Sequence, residues 1–449
     1  MPRPLPLKGL TREALRALAR DGAPRWRSTA AVFTSMTALA ATSLVTGPAL
    51  AEPRAAPCAL KRTEAHHSEG LDTWNAAYPR PTRALDAVMV FLSFPDSEPR
   101  TTPAELTADY FPSTSRFFER ASYGKFTLRP HPQRDWIRMP HSSTSYAIQR
   151  DWNAARRSAY LRDALAASDR QVDFSRYDIV YFVADPDAPG VDSDATKVVN
   201  LDTPLRADGK DIRRVVTVFE KHPPDRLVLA HETGHVFDLP DLYHRPVDGK
   251  GDWDTYVGDW DLMGSQFGLA PDLFAWHKWK LGWLEPRQVM CVRGPRSTRL
   301  TLEPLGAGPA AAAVASAGVP RAAGSPPLGS GAPAFGSGRG TKLAVVPTGS
   351  DSALAFEARG SAGNDDSACT QGVLVYRVRG GAASGGGPIE VVDAHPRTEA
   401  CWEDSVYPPL ADAPVALGES FTVPGENVRV EVEDRTASGA WTVEITPSA

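Results

Sequence analysis

The chain has 449 residues, of which 42% are hydrophobic and 23% charged, and it contains 40 prolines, 36 glycines and four cysteines. This composition excludes fibrous, wholly disordered and polytopic membrane proteins, and the length is enough for roughly two or three domains. Residues 1–51 carry seven basic and two acidic side chains, so the net charge of −5 becomes −10 once they are removed. An acidic chain disfavours nucleic acid as a partner, because binding to phosphates needs a basic face.

The N-terminus has the pattern of an export signal. Arg25 and Arg27 precede an apolar run at 30–45, and small residues follow up to Ala51. This order predicts a secretory signal peptide over 1–51, cleaved after Ala51, and therefore a secreted protein. A membrane anchor is the alternative, but Thr and Ser interrupt a run that is shorter than the usual span of ~20 residues. We expect no membrane span in the mature chain.

All four cysteines lie beyond the predicted cleavage site, where an oxidising compartment allows them to form disulfides. Four cysteines allow three pairings, and proximity in sequence favours the one that joins Cys369 with Cys401 and Cys58 with Cys291. A metal site is the alternative, and the absence of any CxxC pair disfavours it. We therefore expect two disulfide bonds.

Strands and helices alternate in the first half of the mature chain. Apolar β-rich runs predict strands, and apolar residues at helical spacing predict helices, one of them broken at Pro112. The predicted strands cover 85–94, 125–128, 177–183 and 214–219, and the predicted helices cover 101–121 and 151–168. This alternation predicts an α+β domain in which helices back a twisted sheet.

The chain changes in character after Trp283. Residues 306–340 are almost entirely Gly, Ala, Pro and Ser, which is typical of a disordered insertion. Short β-rich runs lie on both sides of it, at 299–303, 341–346, 353–358, 372–378, 389–392, 427–433 and 441–445. We therefore expect four segments, which are a signal peptide at 1–51, a tether at 52–84, a first domain at 85–295 and an all-β, sandwich-like domain at 296–449.

The residues that point to chemistry lie in the sequence His231-Glu232-Thr-Gly-His235. Two histidines four residues apart project from one face of a helix, at a separation that fits a single Zn²⁺ ion. Glu232 is turned about 100° around the helix, where a carboxylate lies near the metal and can accept a proton from water. The pattern predicts a zinc hydrolase site, and a pair of surface or core imidazoles is the alternative.

A zinc site of this kind needs a third protein ligand and an open position for water. Asp241 follows His235 by six residues, and Pro240 cannot continue the helix, so a turn toward the metal is reasonable at this point. A turn-forming Asp beside Pro is the alternative interpretation of Asp241. No Glu occurs between residues 235 and 285, and the competing carboxylates are Asp248, Asp252, Asp254 and Asp259.

The pattern HExxHxxGxxD followed by a methionine turn is that of the immune inhibitor A family of secreted bacterial zinc metalloproteases, which this chain resembles. His231, Glu232, His235 and Asp241 match the motif, and Met263 lies in a matching Asp-Leu-Met-Gly-Ser turn. Further matches lie at 91–96, 115–124 and 276–283. The resemblance implies a zincin-type, metzincin-like catalytic domain, one zinc held by both histidines and the aspartate, a structural methionine beneath the metal, and endopeptidase activity.

Two features depart from the family pattern. Asp238 stands where the family has Gly, at a point where a positive φ helps the chain to leave the helix, and Asp tolerates such a φ better than most residues. The segment before the first strand is also too short for a long inhibitory propeptide. We interpret residues 52–83 as a surface tether, with masking of the zinc by His66 and His67 as the alternative.

In the expected reaction Glu232 takes a proton from the attacking water and returns it to the leaving amine. Tyr243 is our first candidate for the donor to the developing oxyanion, ahead of His244 and Tyr256. The acidic segment at 185–194 offers oxygen ligands for Ca²⁺, although a solvated loop is the favoured interpretation. We expect protein or peptide substrates and a monomer. The alternative function is a non-catalytic secreted binding protein, whose β-domain engages a glycan or protein and whose zinc site is residual.

Overall fold

The computed structural model describes residues 58–246, 250–308, 340–437 and 439–447. The predicted signal peptide at 1–51 and nearly all of the predicted insertion at 306–340 lie outside the described residues. The described chain combines helices with three β-sheets and belongs to a single unit, Ala55–Ala449. Within those ranges, none of the helices has both the length and the apolar character needed to cross a membrane.

The first sheet is built mainly of parallel strands. These are β1 (Ala84–Ser93), β2 (Thr127–Pro132), β3 (Ile137–Arg138), β4 (Ile179–Ala184), β5 (Lys197–Ala207) and β6 (Lys210–Val218). Their order is β2-β1-β4-β6-β5, with β3 also beside β1. Only β5, at one edge, runs antiparallel to its neighbour among the described strands. β1 is buried on both faces, which explains its continuous apolar run.

Seven helices occur in the described residues, and most of them cover this sheet. They are α1 (Pro103–Tyr110), α2 (Ser113–Ala121), α3 (Ser143–Tyr146), α4 (Ala154–Ser168), α5 (Val228–Val236), α6 (Ala275–Lys280) and α7 (Pro408–Ala411), with short 3₁₀ turns at Phe174–Arg176, Ser193–Ala195, Pro286–Gln288 and Gly363–Asp365. Thr102 and Glu105 form a capping box that begins α1. Tyr160 and Leu161 of α4 pack on one face of β1, whereas α2 and α5 share a core with its other face.

Two antiparallel sheets follow. The five-stranded sheet has the order β12-β11-β10-β9-β7, and the four-stranded sheet has the order β13-β14-β15-β8. Their strands are β7 (Val289–Cys291), β8 (Thr298–Leu302), β9 (Leu343–Pro347), β10 (Ser352–Arg359), β11 (Gly372–Arg379), β12 (Ile389–Val392), β13 (Ser420–Val423), β14 (Val428–Arg435) and β15 (Trp441–Pro447). Within these two sheets, as far as the structure describes them, only β7 pairs in parallel, with β9.

The five-stranded sheet is buried on both faces. In β10, Leu354 and Phe356 pack against the four-stranded sheet, whereas Ala353 and Ala355 belong to the core that contains α5 and α6. Side chains alternate in this way because successive residues of a strand point to opposite faces. The β-rich half is therefore joined to the HExxH-bearing half by a continuous apolar core.

Both expected cysteine pairs lie at disulfide distance. The Cα atoms of Cys58 and Cys291 are 5.7 Å apart, and those of Cys369 and Cys401 are 6.2 Å apart. The first pair fastens the N-terminal end of the described chain to β7, so this end is held against the five-stranded sheet.

The segment before β1 differs from the surface tether expected over 52–83. Leu60, His67 and Glu69 are buried, each with 4% or less of its surface exposed. Residues 52–57 lie outside the described residues. Other residues of the segment, such as Asp72 and Thr73, are exposed, so only parts of it pack inward. The disulfide and buried polar contacts, which the sequence alone does not reveal, hold those parts in place.

Most predicted elements are present, with boundaries that differ by a few residues. The helical run at 101–121 is broken between α1 and α2, at the point where Pro112 interrupts it. The sequence does not predict β5, because Lys197–Ala207 mixes polar and apolar residues without a continuous apolar run. An edge strand with one exposed side tolerates such a pattern.

Candidate metal centre

Helix α5 carries the HExxH sequence and packs against β5 and β6. Its first residues, Val228, Leu229 and Ala230, are buried in the core. The hydroxyl of Thr233 lies 2.9 Å from that of Tyr181 on β4, which ties the helix to the sheet. The helix is therefore held on its apolar side, so its two histidines project from a fixed support.

Both histidines of α5 are oriented by backbone carbonyls. Nδ1 of His231 lies 2.9 Å from the carbonyl oxygen of Leu262, and Nδ1 of His235 lies 2.8 Å from that of Leu239. A carbonyl oxygen only accepts hydrogen bonds, so each Nδ1 carries the proton and each Nε2 is left with a free lone pair. The two Nε2 atoms are thus the nitrogens available to a metal.

Asp241 completes the group from the turn after the helix. Its Oδ1 atom lies 3.0 Å from Nε2 of His235 and 3.4 Å from Nε2 of His231. The three candidate ligand atoms all lie within 4.8 Å of one another, and no other such group occurs among residues that the structure describes. The expected third ligand therefore stands beside both histidines.

Asp241 is held by a loop that follows β11. Oγ of Ser384 donates to Oδ2 of Asp241 at 3.1 Å and accepts from the backbone N–H of Asp241 at 2.8 Å. The backbone N–H of Gly385 donates to the carbonyl oxygen of Asp241 at 2.9 Å. The sequence does not predict these contacts, because Ser384 lies 143 positions away from Asp241, in a Gly-rich turn.

The donor set fits a zinc ion. Oδ1 of Asp241 is buried and makes no well-aligned hydrogen bond, although Nε2 of His235 lies 3.0 Å away and Nε2 of His231 lies 3.4 Å away. This oxygen and the two Nε2 atoms lie within 4.8 Å of one another, which is close enough for one ion to contact all three. Two imidazole nitrogens and one carboxylate oxygen are a common protein ligand set for catalytic zinc, which leaves a fourth position open.

Close packing shifts the pKa values of the candidate ligands. Burial alone would lower the pKa of His235, but the carboxylate of Asp241 beside it raises that pKa to about 9. Burial would raise the pKa of Asp241, yet His235 and His231 hold it well below its usual value. Asp241 and His235 thus favour each other's charged forms, and a metal ion at Nε2 would compete with a proton for the lone pair of that nitrogen.

Glu232 lies next to the three candidate ligands but is not one of them. Its Oε2 atom accepts a hydrogen bond of 2.8 Å from the backbone N–H of Val198, at the start of β5. Burial raises the pKa of Glu232, while the nearby His235 and His231 oppose the rise. A carboxylate that is fixed in place and less acidic than usual is suited to accept a proton and release it again.

A cleft runs past these residues. It consists of two adjoining cavities of about 500 and 640 Å³, and His231, Glu232 and Tyr243 line both of them. Residues Lys197, Val198 and Asn200 of β5 line the first cavity. An edge strand beside the candidate metal ligands offers backbone groups to an extended chain in the cleft.

Tyr243 faces this cleft, unlike the other two candidates for the oxyanion donor. Its ring stacks on that of His231, with centroids 6.4 Å apart, and lies 5.5 Å from the ring of Trp253. Burial, together with the nearby carboxylates of Asp241 and Glu232, raises the pKa of Tyr243, so its hydroxyl keeps a proton to donate.

His244 and Tyr256 contact each other instead. Nδ1 of His244 lies 3.1 Å from the hydroxyl of Tyr256, and neither residue lines the two cavities described above. Neither residue is therefore placed to donate to a substrate in these cavities.

Met263 lies directly beneath α5 and is fully buried. A Cβ atom added to Gly234 of the helix would lie only 2.4 Å from the Met263 sulfur, so this close approach requires glycine. The backbone carbonyl of Met263 accepts a hydrogen bond of 2.9 Å from Leu242, the residue after Asp241. The methionine turn thus contacts both the helix and the turn that supplies the third candidate ligand.

The competing carboxylates are not part of this group. Asp252, Asp254 and Asp259 are absent from the metal-sized cluster, and Asp248 lies outside the described residues. Asp259 accepts hydrogen bonds from the backbone N–H groups of Leu269 and Val406, which is a structural role.

The acidic segment at 185–194 does not form a metal-sized cluster within the described ranges. Oδ1 of Asp185 accepts a hydrogen bond of 3.0 Å from the backbone N–H of Asp187, so one of its oxygens closes a turn. The structure therefore offers no support for the calcium site considered from the sequence.

Comparison with protein-family models and with curated proteins finds no match for this chain. Function is therefore inferred from the geometry of the site.

Proposed function

We propose that the protein is a secreted zinc-dependent endopeptidase with a zincin-type, metzincin-like catalytic domain. The observation that carries this proposal is the convergence of Nε2 of His231, Nε2 of His235 and the buried Oδ1 of Asp241, beside a buried Glu232. The resemblance of the sequence to the immune inhibitor A family supports the same activity. Two cysteine pairs at disulfide distance are compatible with secretion.

Zinc, when bound, supplies a Lewis acid that polarises a substrate carbonyl and makes water more acidic. His231, His235 and Asp241 would hold it. Glu232 accepts a proton from the attacking water and later delivers that proton to the leaving amine nitrogen. Tyr243 donates its hydroxyl proton in a hydrogen bond to the carbonyl oxygen as negative charge develops there.

The cleft supports a peptide as the substrate. Its two cavities meet at Glu232, so an extended chain can lie across the carboxylate with residues on either side. β5 forms one wall and lies at the edge of its sheet, where its backbone can pair with the substrate. Such pairing depends on the peptide backbone, which every protein substrate provides.

The test measures zinc content and the cleavage of casein or gelatin by the purified protein, with and without a chelator. We expect one zinc ion per chain and cleavage that stops on chelation and returns with added zinc. Glu232→Gln should retain the zinc but lower kcat by about 10²- to 10⁴-fold, because it removes the group that transfers the proton.

The control is Glu119→Gln, which makes the same chemical change on the exposed side of α2 and should leave cleavage unchanged. One zinc per chain without chelator-sensitive cleavage of any protein tested would contradict the enzyme assignment. That result would favour the alternative of a non-catalytic binding protein with a residual zinc site.

A further inference from the structure

Residues 58–69, which we name the strap, lie beside the candidate metal centre. Cys58 at the start of the strap pairs with Cys291, and Leu60 is buried in the core shared with α5. At the other end, His66 and His67 line the same cavity as His231 and Glu232. The strap therefore reaches from the five-stranded sheet to the cleft.

Asp238 connects the strap to the turn that follows α5. Its Oδ1 atom lies 2.9 Å from Nδ1 of His67, and its Oδ2 atom lies 2.7 Å from a guanidinium nitrogen of Arg62. Its backbone carbonyl accepts a hydrogen bond of 2.6 Å from Nζ of Lys280 on α6. Asp238 is fully buried and has a φ of 67°, so both its side chain and its backbone are held in one arrangement.

The contacts continue from Asp238 to the candidate ligands. Leu239, the next residue, accepts the hydrogen bond from Nδ1 of His235, and Asp241 follows two positions later. The ring of His67 also stacks on the ring of His235, with centroids 5.7 Å apart and an angle of 23° between their planes. A shift of Asp238 would therefore move the carbonyl that orients His235 and the turn that carries Asp241.

We propose that the strap is part of the metal centre, and that Arg62 and His67 are positioning residues that act through Asp238. This inference rests on the metal site of the proposed function. It assigns a role to Asp238, which stands where the family that this chain resembles has glycine. Glycine would allow the same φ, but only a carboxylate can bind the guanidinium of Arg62 and the ring of His67 at the same time.

The strap has other attachments, so the role of Asp238 can be separated from folding. Oγ1 of Thr63 donates to the carbonyl oxygen of Gly380 at 2.7 Å, and Oγ of Ser68 donates to the same oxygen at 3.0 Å. Glu69 pairs with His277 at 2.9 Å. These contacts, with the disulfide, remain when the Asp238 side chain is removed.

The experiment compares the full secreted chain with Asp238→Gly, which suits the positive φ and leaves no buried carboxylate without a partner. Zinc affinity is measured by competition with a chromophoric chelator, and the visible spectrum of the Co²⁺-loaded protein reports the ligand geometry. We expect the zinc Kd to rise about 10-fold or more, which is the usual effect of losing a partner that orients a ligand, together with a changed Co²⁺ spectrum. Asp238→Asn, which tolerates the same φ and keeps an acceptor for His67, should restore part of the affinity.

Arg62→Met and Arg83→Met form a matched pair. Each removes an arginine–aspartate contact from the N-terminal segment, but Arg83 contacts Asp178, away from the metal ligands. We expect only Arg62→Met to raise the zinc Kd. If Arg62→Met fails to fold, the zinc Kd and the Co²⁺ spectrum of Asp238→Gly test whether the strap positions the metal ligands.

A zinc Kd within about twofold of the wild-type value in Asp238→Gly, with an unchanged Co²⁺ spectrum, would overturn the inference but leave the proposed function intact. A wild-type chain that binds no stoichiometric zinc would overturn both.

Discussion

Two backbone carbonyls determine which atoms of His231 and His235 face the candidate metal position. The carbonyl oxygens of Leu262 and Leu239 each accept a hydrogen bond from Nδ1 of one histidine, and both Nε2 atoms lie within 3.4 Å of Oδ1 of Asp241. The spacing of the motif predicts that two imidazoles share a helix face, but it does not predict their rotation. The rotation depends on carbonyls that the turn after α5 and the methionine turn provide.

Gly234→Ala tests the contact between α5 and the methionine turn. The added Cβ would lie 2.4 Å from the Met263 sulfur, so the buried Met263 side chain, the helix or the turn has to shift. We expect the free energy of unfolding to fall by about 1–3 kcal/mol, as for other overpacked cores, and the zinc affinity to fall with it. Chemical denaturation and zinc competition measure the two effects.

A double-mutant cycle gives the control. In a Met263→Ala background the sulfur is absent, so Gly234→Ala should cost less stability than it does in the wild-type chain. An equal cost in both backgrounds would show that the helix does not rest on Met263.

The loop between β11 and β12 brings the β-rich half of the chain to the candidate metal site. Ser384 in this loop contacts both the backbone and the carboxylate of Asp241. The half of the chain that carries α5 contains all three candidate ligands, but taken alone it would lack this support.

Ser384→Ala should weaken zinc binding about 10-fold, because Oδ2 of Asp241 loses its hydrogen-bond donor and the carboxylate is less well oriented. Ser361→Ala is the matched control, since Ser361 is exposed and its hydroxyl makes a long contact of 3.4 Å with the carbonyl oxygen of Ala368, away from the metal ligands. A zinc Kd that is equal in the two variants would contradict a role for the loop.

Local patterns predict much of this molecule. The buried strand at β1, the break at Pro112 and the helix with its histidines all follow from residues close in sequence. β5 and the contact of Ser384 with Asp241 depend on residues far apart in the chain, and neither has a local pattern. The packing of the strap also has no local sequence pattern, because His67 and Asp238 come together only in the folded chain.

A buried ion cluster joins the strap, α6 and the methionine turn across the molecule. His277 on α6 lies 2.9 Å from Glu69 and 3.2 Å from Asp261, and all three residues are fully buried. Lys280 lies 3.9 Å from the other oxygen of Glu69. The cluster therefore contains two acids and two bases and holds three parts of the chain together.

The stability of the protein should depend on the charge of His277. Burial alone would lower the pKa of His277, but Glu69 and Asp261 raise it from 6.5 to about 9. The folded state thus binds this proton more tightly than the unfolded state, so its contribution is complete below pH 6.5 and is lost as the pH rises through about 9. We expect the free energy of unfolding, measured with urea, to fall between these two pH values.

His277→Gln should flatten this pH dependence, because the titrating ring is gone. His141→Gln is the control, since its ring is largely exposed and its loss should leave the slope as in the wild type. The same slope in His277→Gln as in the wild type would assign the pH dependence to other groups.

The proposed metal site is tested most directly by the position of zinc in crystals of the purified protein, located by anomalous diffraction at the zinc absorption edge. We expect one strong peak, bonded to Nε2 of His231, Nε2 of His235 and the carboxylate of Asp241 at about 2.0–2.2 Å. Zinc held by a different set of residues, or no peak between these three side chains in zinc-loaded crystals, would contradict the proposed site.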